Sequence, residues 1–482
     1  LGWILIVCGG AALLASCSTT PTVIVHTPAT PTLYKAAAAF SGPLTAGKVV
    51  EPLTAMSSDL AAHDYVEQEY SAAGTAHAFR ATSAPTDGKW TITPTTSAPY
   101  RTRILVRRPA NPKAFSGVVV VEWMNETAGE SAPDWDYMNP EIMNAGDAWV
   151  GVSAQKLGVE GGAPLLSGGK VTSSVKGLKQ DDPERYGNLH HPGDQYSYDI
   201  FDQIAFGLRS PASKALGPLH PHTILAIGES QSAFFLTTFA DAIEPNGYPY
   251  DGIFIHSRGE SGAALDGSSN AGSKTQTPLL IRTDLHVPVF MFETQTDLIL
   301  LGYAAAQQPN TDRIRTWEVA GTSHADNYEV GGDPGILGCT TPINTGPQHV
   351  VVQAAFAAFS RWVVNGTPPP EPLPFKLQST HPPALALDQY GNVIGGVRTP
   401  AVDVPISTLS GAAPAGTSVI CSLFGETTPF TTARLTSLYG SPANYVSKYT
   451  ASLNQAIAGG YILPADRAEL LAQAQQVQFP SS

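Results

Sequence analysis

Basic residues are in short supply. Lys and Arg number 27 against 40 Asp and Glu, a net charge of −13, and no basic cluster reverses that balance locally. This excludes nucleic acid and an anionic membrane surface as electrostatic partners. Charge of either sign is scarce, at 14% of residues against 43% hydrophobic, which excludes a disordered chain. Long apolar runs are also missing. Residues 1–16, LGWILIVCGGAALLAS, are apolar but too short to span a bilayer comfortably. Of the four cysteines, Cys8 and Cys17 fall in or beside that stretch, leaving Cys339 and Cys421, neither at zinc-ligand spacing. His190 and His191 are adjacent, so their rings point apart, and no third ligand is spaced with them on a regular element. No metal and no cofactor are expected.

What is present fits a globular, loop-rich, extracytoplasmic protein, with 45 Gly and 40 Pro among 482 residues, enough for one large α/β domain with additions. The run 1–16 ends in small residues as a signal-peptide core does, and Leu14-Ala15-Ser16-Cys17 resembles the lipobox of bacterial lipoproteins. Export is therefore expected, with Cys17 as the lipidation site and possible membrane anchor, or secretion after ordinary cleavage. Residues 18–32 read as a Ser/Thr/Pro-rich tether. In an exported protein the two remaining cysteines, Cys339 and Cys421, are expected to pair; two buried thiols are the alternative.

Residues 33–62 read as irregular with helical pieces, and residues 65–79 and 90–107 as antiparallel strands. Val118 to Val121 is a strand buried on both faces, ending in the polar loop 122–129, and beyond such strand ends ligands sit in α/β sheets. A helix around 137–145 and a strand at 148–153 follow. Residues 156–195 and 257–280 read as insertions, the second placed over the site. Phe201, Ile204, Ala205 and Leu208 mark an amphipathic helix at 198–210 leading into the next strand. Further strands are expected at 250–255, 287–292 and 314–319, and a long apolar helix at 348–364.

The stretch 223–240, TILAIGESQSAFFLTTFA, passes from a buried strand through Gly228-Glu229-Ser230-Gln231-Ser232 into a helix. A serine at the apex of such a turn stands clear of the sheet, and the amide of Gln231 opens the helix where it can meet developing negative charge. Ser232 departs from the usual G-x-S-x-G. A serine nucleophile needs a base, and imidazole serves when a carboxylate fixes its tautomer. Ser230, Asp297 and His324 follow in that order, each after a strand; Glu293 at the strand end is the alternative acid. His286 and His349 are worse placed, and Asp326 reads as a surface group. The second oxyanion donor is expected from the amide of Asn125 or Met124. Trp123, Trp135 and Phe234 are candidates for a substrate pocket, with core packing favoured for Phe234.

Several segments together carry a family resemblance: VVVEWMN, SYDIFDQ, GESQSA, VPV with the later Thr296-Asp297, WEVAGTSHAD, PINTGPQH, RWVVNGTPPP and GNVIGGVRTPAVDVPI. They resemble the bacterial alpha/beta hydrolase domain-containing proteins, from about Tyr65 to near Ala465. The resemblance implies an α/β-hydrolase fold, a mostly parallel central sheet flanked by helices, and carboxylic-ester hydrolysis with Ser230, Asp297 and His324 as triad. It implies residues 33–370 as the core and 371–482 as a C-terminal extension packed on it. The expected partner is a small-molecule or lipid ester. A polymer- or lipid-binding protein without turnover and an acyltransferase using the same residues are the alternatives.

Overall fold

The computed structural model describes residues 35–53, 59–166, 173–268, 278–331 and 338–479. Cys17, the expected leader and the tether at 18–32 lie outside the described residues, as do parts of both insertions. Nine strands form one sheet in the order β1-β2-β3-β5-β4-β6-β7-β8-β9. They are β1 (Ala39–Ser41), β2 (Tyr65–Ser83), β3 (Thr91–Pro109), β4 (Val118–Trp123), β5 (Ala148–Val152), β6 (Thr223–Glu229), β7 (Gly252–His256), β8 (Val289–Glu293) and β9 (Ile314–Glu318). From β5 through β4 to β9 all neighbours run parallel, while β1, β2, β3 and β5 pair antiparallel. The architecture is that of an α/β hydrolase.

Runs of Val, Ile and Phe form these parallel strands because both faces are covered, so alternation brings no polar residue to water. On one face Val119, Val121, Ile224, Ala226, Ile253 and Ile255 meet α2 (Ser197–Arg209) and α3 (Gln231–Thr238). On the other, Val118, Val120, Leu225, Ile227, Phe254 and Phe290 meet α1 (Pro133–Ala145) and α5 (Gln348–Asn365). Between them, α4 (Gln295–Ile299) follows β8.

The described part of 33–62 is mostly irregular with one 3-10 turn at Leu60–His63, as expected, and departs from expectation in adding the strand β1. Hydrogen bonding to β2 overrides the local helical preference there, with Ala39 opposite Ala73. The insertion at 156–195 holds short helical turns around a small core of Val159, Leu178, Tyr186 and Leu189. Its two histidines part company. His191 is buried with Nε2 at 2.9 Å from the Ala154 carbonyl, and His190 lies 3.6 Å from Glu160 at the surface. Described parts of the 257–280 insertion pack on the helix after Ser230: the Ala263 amide donates to the Phe234 carbonyl, and Thr238 Oγ1 donates to that of Ala263.

Beyond residue 371 the chain adds two hairpins, β10 (Leu377–Thr380) with β11 (Pro383–Leu385) and β12 (Ser407–Ser410) with β13 (Glu426–Pro429). Between β12 and β13 lies α6 (Val419–Leu423), and α7 (Pro442–Ala458) with α8 (Arg467–Gln476) ends the described chain. Tyr445, Tyr449, Leu453 and Leu470 from these helices join the core on the α1 and α5 side. At the C-terminal end of β9 its free edge is met by Val397, whose amide donates to the Glu318 carbonyl at 2.7 Å and whose carbonyl accepts from Ala320 at 2.9 Å.

Several buried or half-buried acids among the described residues sit where loss of water outweighs any nearby cation. Burial pushes Asp147 and Glu141 up to about 7, and holds Asp202 and Glu244 well above the carboxylate range. A carboxyl raised in the folded state binds more protons folded than unfolded, so stability is full below the unfolded value near 4 and drains as pH rises through 7. Carboxylates held down by ion pairs, such as Asp284 and Glu371, act oppositely, but they are exposed and screened. Melting is therefore expected to be higher at pH 5 than at pH 8 by roughly 5 °C or more. A flat or rising Tm in calorimetry across that window would contradict it.

Candidate active site

β6 delivers Ser230 with φ +58° and ψ −119°, a left-handed conformation that a serine adopts only under constraint. The Ser230 amide donates to the His256 carbonyl at the end of β7, 2.9 Å away, which pins the turn to the neighbouring strand. Gly228 allows the tight return. A Cβ there would come within 3.0 Å of both Ser232 Cβ and Leu236 Cδ1, so the departure from the usual motif at Ser232 is accommodated by the glycine before the serine.

Asp297 sits in the first turn of α4. Its Oδ2 accepts from the Thr294 amide and hydroxyl, both at 2.7 Å, in a reciprocal cap that fixes the carboxylate plane. Its other oxygen, Oδ1, lies 2.7 Å from Nδ1 of His324, and Nε2 of the same ring lies 2.6 Å from Ser230 Oγ. His324 follows β9 through Gly321, where φ is +81° and an added Cβ would strike Val402 Cγ1 at 2.7 Å. Only glycine fits that bend. Three side chains from three strand ends thus form one line: carboxylate, imidazole, hydroxyl.

Glu293 is not on that line. It is buried, and burial, reinforced by Asp297, holds it well above the usual carboxylate range. His349 stacks on Tyr328 with ring centres 4.3 Å apart, and His286 lies against Tyr248.

Four expectations need correction. The Asn125 amide does not face the serine: it donates to the Ser131 carbonyl at 2.9 Å, and the Met124 amide donates to Val152 at 3.2 Å. Asn125 contributes instead through its side chain, whose Nδ2 donates to the Glu229 carbonyl at 3.0 Å. By contrast, Gln231 opens α3, where the helix offers its amide no internal acceptor. Its side-chain oxygen accepts from the Glu126 amide at 3.0 Å, tying the loop after β4 to the serine turn. Trp123 and Trp135 are fully buried core residues, the first stacked on Phe235 at 4.8 Å, the second beside Trp149 and under the Arg107 guanidinium. Asp326 is no surface group either. It is 1% exposed, accepts from the Tyr137 hydroxyl at 3.0 Å and the Tyr328 amide at 2.9 Å, and burial raises it to about 6.

Sequence reasoning passed over Glu229. Its Oε1 lies 3.5 Å from His324 Nε2, and Asn125 Nδ2 donates to its Oε2 at 3.3 Å. Burial, then the nearby Glu329, Asp134, Asp297 and Glu122, holds it far above the carboxylate range. The signal was available: Leu225, Ile227 and Glu229 alternate onto one face, beside Glu122 and His256 on adjacent strands. His256 pairs with Asp134 at 2.8 Å, both fully buried, and burial lowers the imidazole to about 3. Cys339 and Cys421 are joined in a disulfide with Cα atoms 5.7 Å apart.

The sequence matches the alpha/beta hydrolase domain family over residues 40–472. No curated protein matches it. Among solved structures, it is similar to a glucuronoyl esterase from Solibacter usitatus at 11% identity, covering 59% of this chain and 85% of that one, with a TM-score of 0.28. A glucuronoyl esterase from Teredinibacter turnerae is similar at 13% identity, with coverages of 59% and 75% and a TM-score of 0.27. A methylesterase is similar at 11% identity, with coverages of 68% and 59% and a TM-score of 0.31. Scores this low attach no substrate to the chain.

Proposed function

The chain belongs to the alpha/beta hydrolase domain family, and from that premise we propose that it is a serine hydrolase cleaving carboxylic esters through an acyl-enzyme on Ser230. The observation that supports this most is the pair of hydrogen bonds in series, Asp297 to His324 to Ser230, at 2.7 and 2.6 Å. Imidazole Nε2 takes the hydroxyl proton as Oγ attacks the ester carbonyl. Asp297 fixes the tautomer, so that the nitrogen facing the serine carries the lone pair, and it stabilises the imidazolium that forms. The Gln231 amide stabilises the oxyanion. His324 then passes its proton to the leaving alkoxide, and the same base activates water to release the acid.

The test is covalent labelling. A fluorophosphonate probe is expected to modify the wild-type protein once, at the peptide containing Ser230, as read by mass spectrometry. Modification elsewhere, or none, would remove the assignment. We also propose that the protein works outside the cytoplasm, because the Cys339–Cys421 bond belongs to oxidising compartments. Recovery of the native protein from cytosol with both thiols alkylatable would count against this.

A further inference from the structure

Asp297 stands in a five-residue helix capped by Thr294, and His324 in the irregular segment after β9, and neither is by itself enough to hold a side chain to a fraction of an ångström. Beyond the local Thr294 cap, further support comes from the far end of the chain. Next to Asp297, Thr296 Oγ1 donates to the Gly411 carbonyl at 2.6 Å, and the Gly411 amide donates to Gln295 Oε1 at 3.0 Å. On either side of His324, the Ala325 amide donates to the Leu423 carbonyl at 3.2 Å, and Ser323 Oγ, which donates to the Ala325 carbonyl at 2.6 Å, lies 3.3 Å from that of Phe424. The acid and the base are therefore gripped by one span, residues 411–424, lying between β12 and β13. The contact is close: a Cβ on Gly411 would come within 2.6 Å of the Thr296 amide, and one on Gly425 within 2.9 Å of Ser323 Cβ. Within this span Cys421 is bonded to Cys339, 82 residues earlier, in the loop that follows His324.

We propose that residues 411–424 of the C-terminal extension are a positioning strap for the active site, contributing no reacting group but setting Asp297 and His324 in line with Ser230. This rests on the serine-hydrolase reading above. Thr296 is the positioning residue on the acid side, and the Cys339–Cys421 bond anchors the strap on the base side. An imidazole misplaced by an ångström lowers the chemical step roughly a hundredfold while leaving ester binding nearly intact. A strap that merely stabilised the fold would change melting without changing kcat in the folded protein.

The experiment compares Thr296→Val, Thr296→Ser and the double variant Cys339→Ser/Cys421→Ser with wild type. Hydrolysis of 4-nitrophenyl acetate is followed from pH 5 to 9, together with the rate of fluorophosphonate labelling at Ser230. Thr296→Val and the double variant are expected to lose about tenfold or more in kcat and in labelling rate, with KM within about twofold and the acid limb of the pH profile displaced. Thr296→Ser keeps the hydroxyl and is expected to restore wild-type behaviour. Folded Thr296→Val labelled at the wild-type rate overturns the strap while leaving the hydrolase reading intact. A wild-type protein that is not labelled at Ser230 overturns both. Should the double variant fail to fold, the Thr296 pair decides alone.

Discussion

Ser230→Ala is expected to lower kcat for an activated ester by roughly five orders of magnitude without loosening the fold. On the proposed mechanism the hydroxyl is the one group of the three that forms a bond to the ester, so nothing substitutes for it. Asp297→Asn is expected to cost about 10⁴ in kcat, because the amide stabilises the wrong tautomer of His324. Glu293→Gln, by contrast, is expected to stay within about threefold of wild type, since its buried carboxyl makes no contact with the imidazole. Equal losses in the two acid variants would return the choice of acid to the open state in which the sequence alone leaves it. Ser230→Gly adds a control on strain. With φ at +58°, the serine sits where glycine is at ease, so this inactive variant is expected to melt no lower than wild type.

The second large effect concerns a residue that touches no part of that line. Arg103 is fully buried. Its Nη1 donates to Glu69 Oε1 at 2.9 Å and to the Val50 carbonyl at 2.6 Å, and Nη2 pairs with Glu130. Glu69 also accepts from the Tyr186 hydroxyl at 2.8 Å and is paired with Arg185, so the arginine holds together β2, β3, the 156–195 insertion and the loop after β4. Arg103→Met fills the volume but leaves the half-buried Glu130 carboxylate without a counter-charge and the buried Glu69 with Arg185 alone. It is expected to destabilise the protein by about 3–5 kcal/mol, read as a fall in the urea midpoint. Adding Glu130→Gln should recover part of that loss, because the stranded charge is then gone, whereas Glu69 keeps Arg185. A single variant within about 1 kcal/mol of wild type would show that water, Arg185 or protonation of the acids makes up for the lost cation.

How much of this could be read from the amino-acid order differs by element. β4 and β6 through β9 were legible because strands covered on both faces write themselves as short aliphatic runs bounded by polar loops. Ser230, Asp297 and His324 were legible because each follows such a run, in an order that one chemistry explains. The conformation of single amides was not. Whether Asn125 turns its N–H to the serine or to Ser131 depends on a return of the chain six residues later that no local pattern encodes. Burial of Asp326 escaped notice because the hydroxyl that receives it, on Tyr137, lies 189 residues away in sequence. Trp123 and Trp135 sit at a strand end and a helix start near the serine, positions where sequence position cannot separate pocket from interior. Thr296 and Gly411 lie 115 residues apart, and nothing in either segment names the other.

The two outer edges of the sheet are finished differently. At one, β1 is only three residues long. At the other, β9 would present a row of unpaired backbone groups, and the crossing of Val397 beside Glu318 and Ala320 occupies part of it. An unprotected edge of that kind is a template for another copy to extend, strand upon strand. Truncating the chain shortly after α5 would strip this cover, so its first visible fault should be self-association into sheet-rich aggregates.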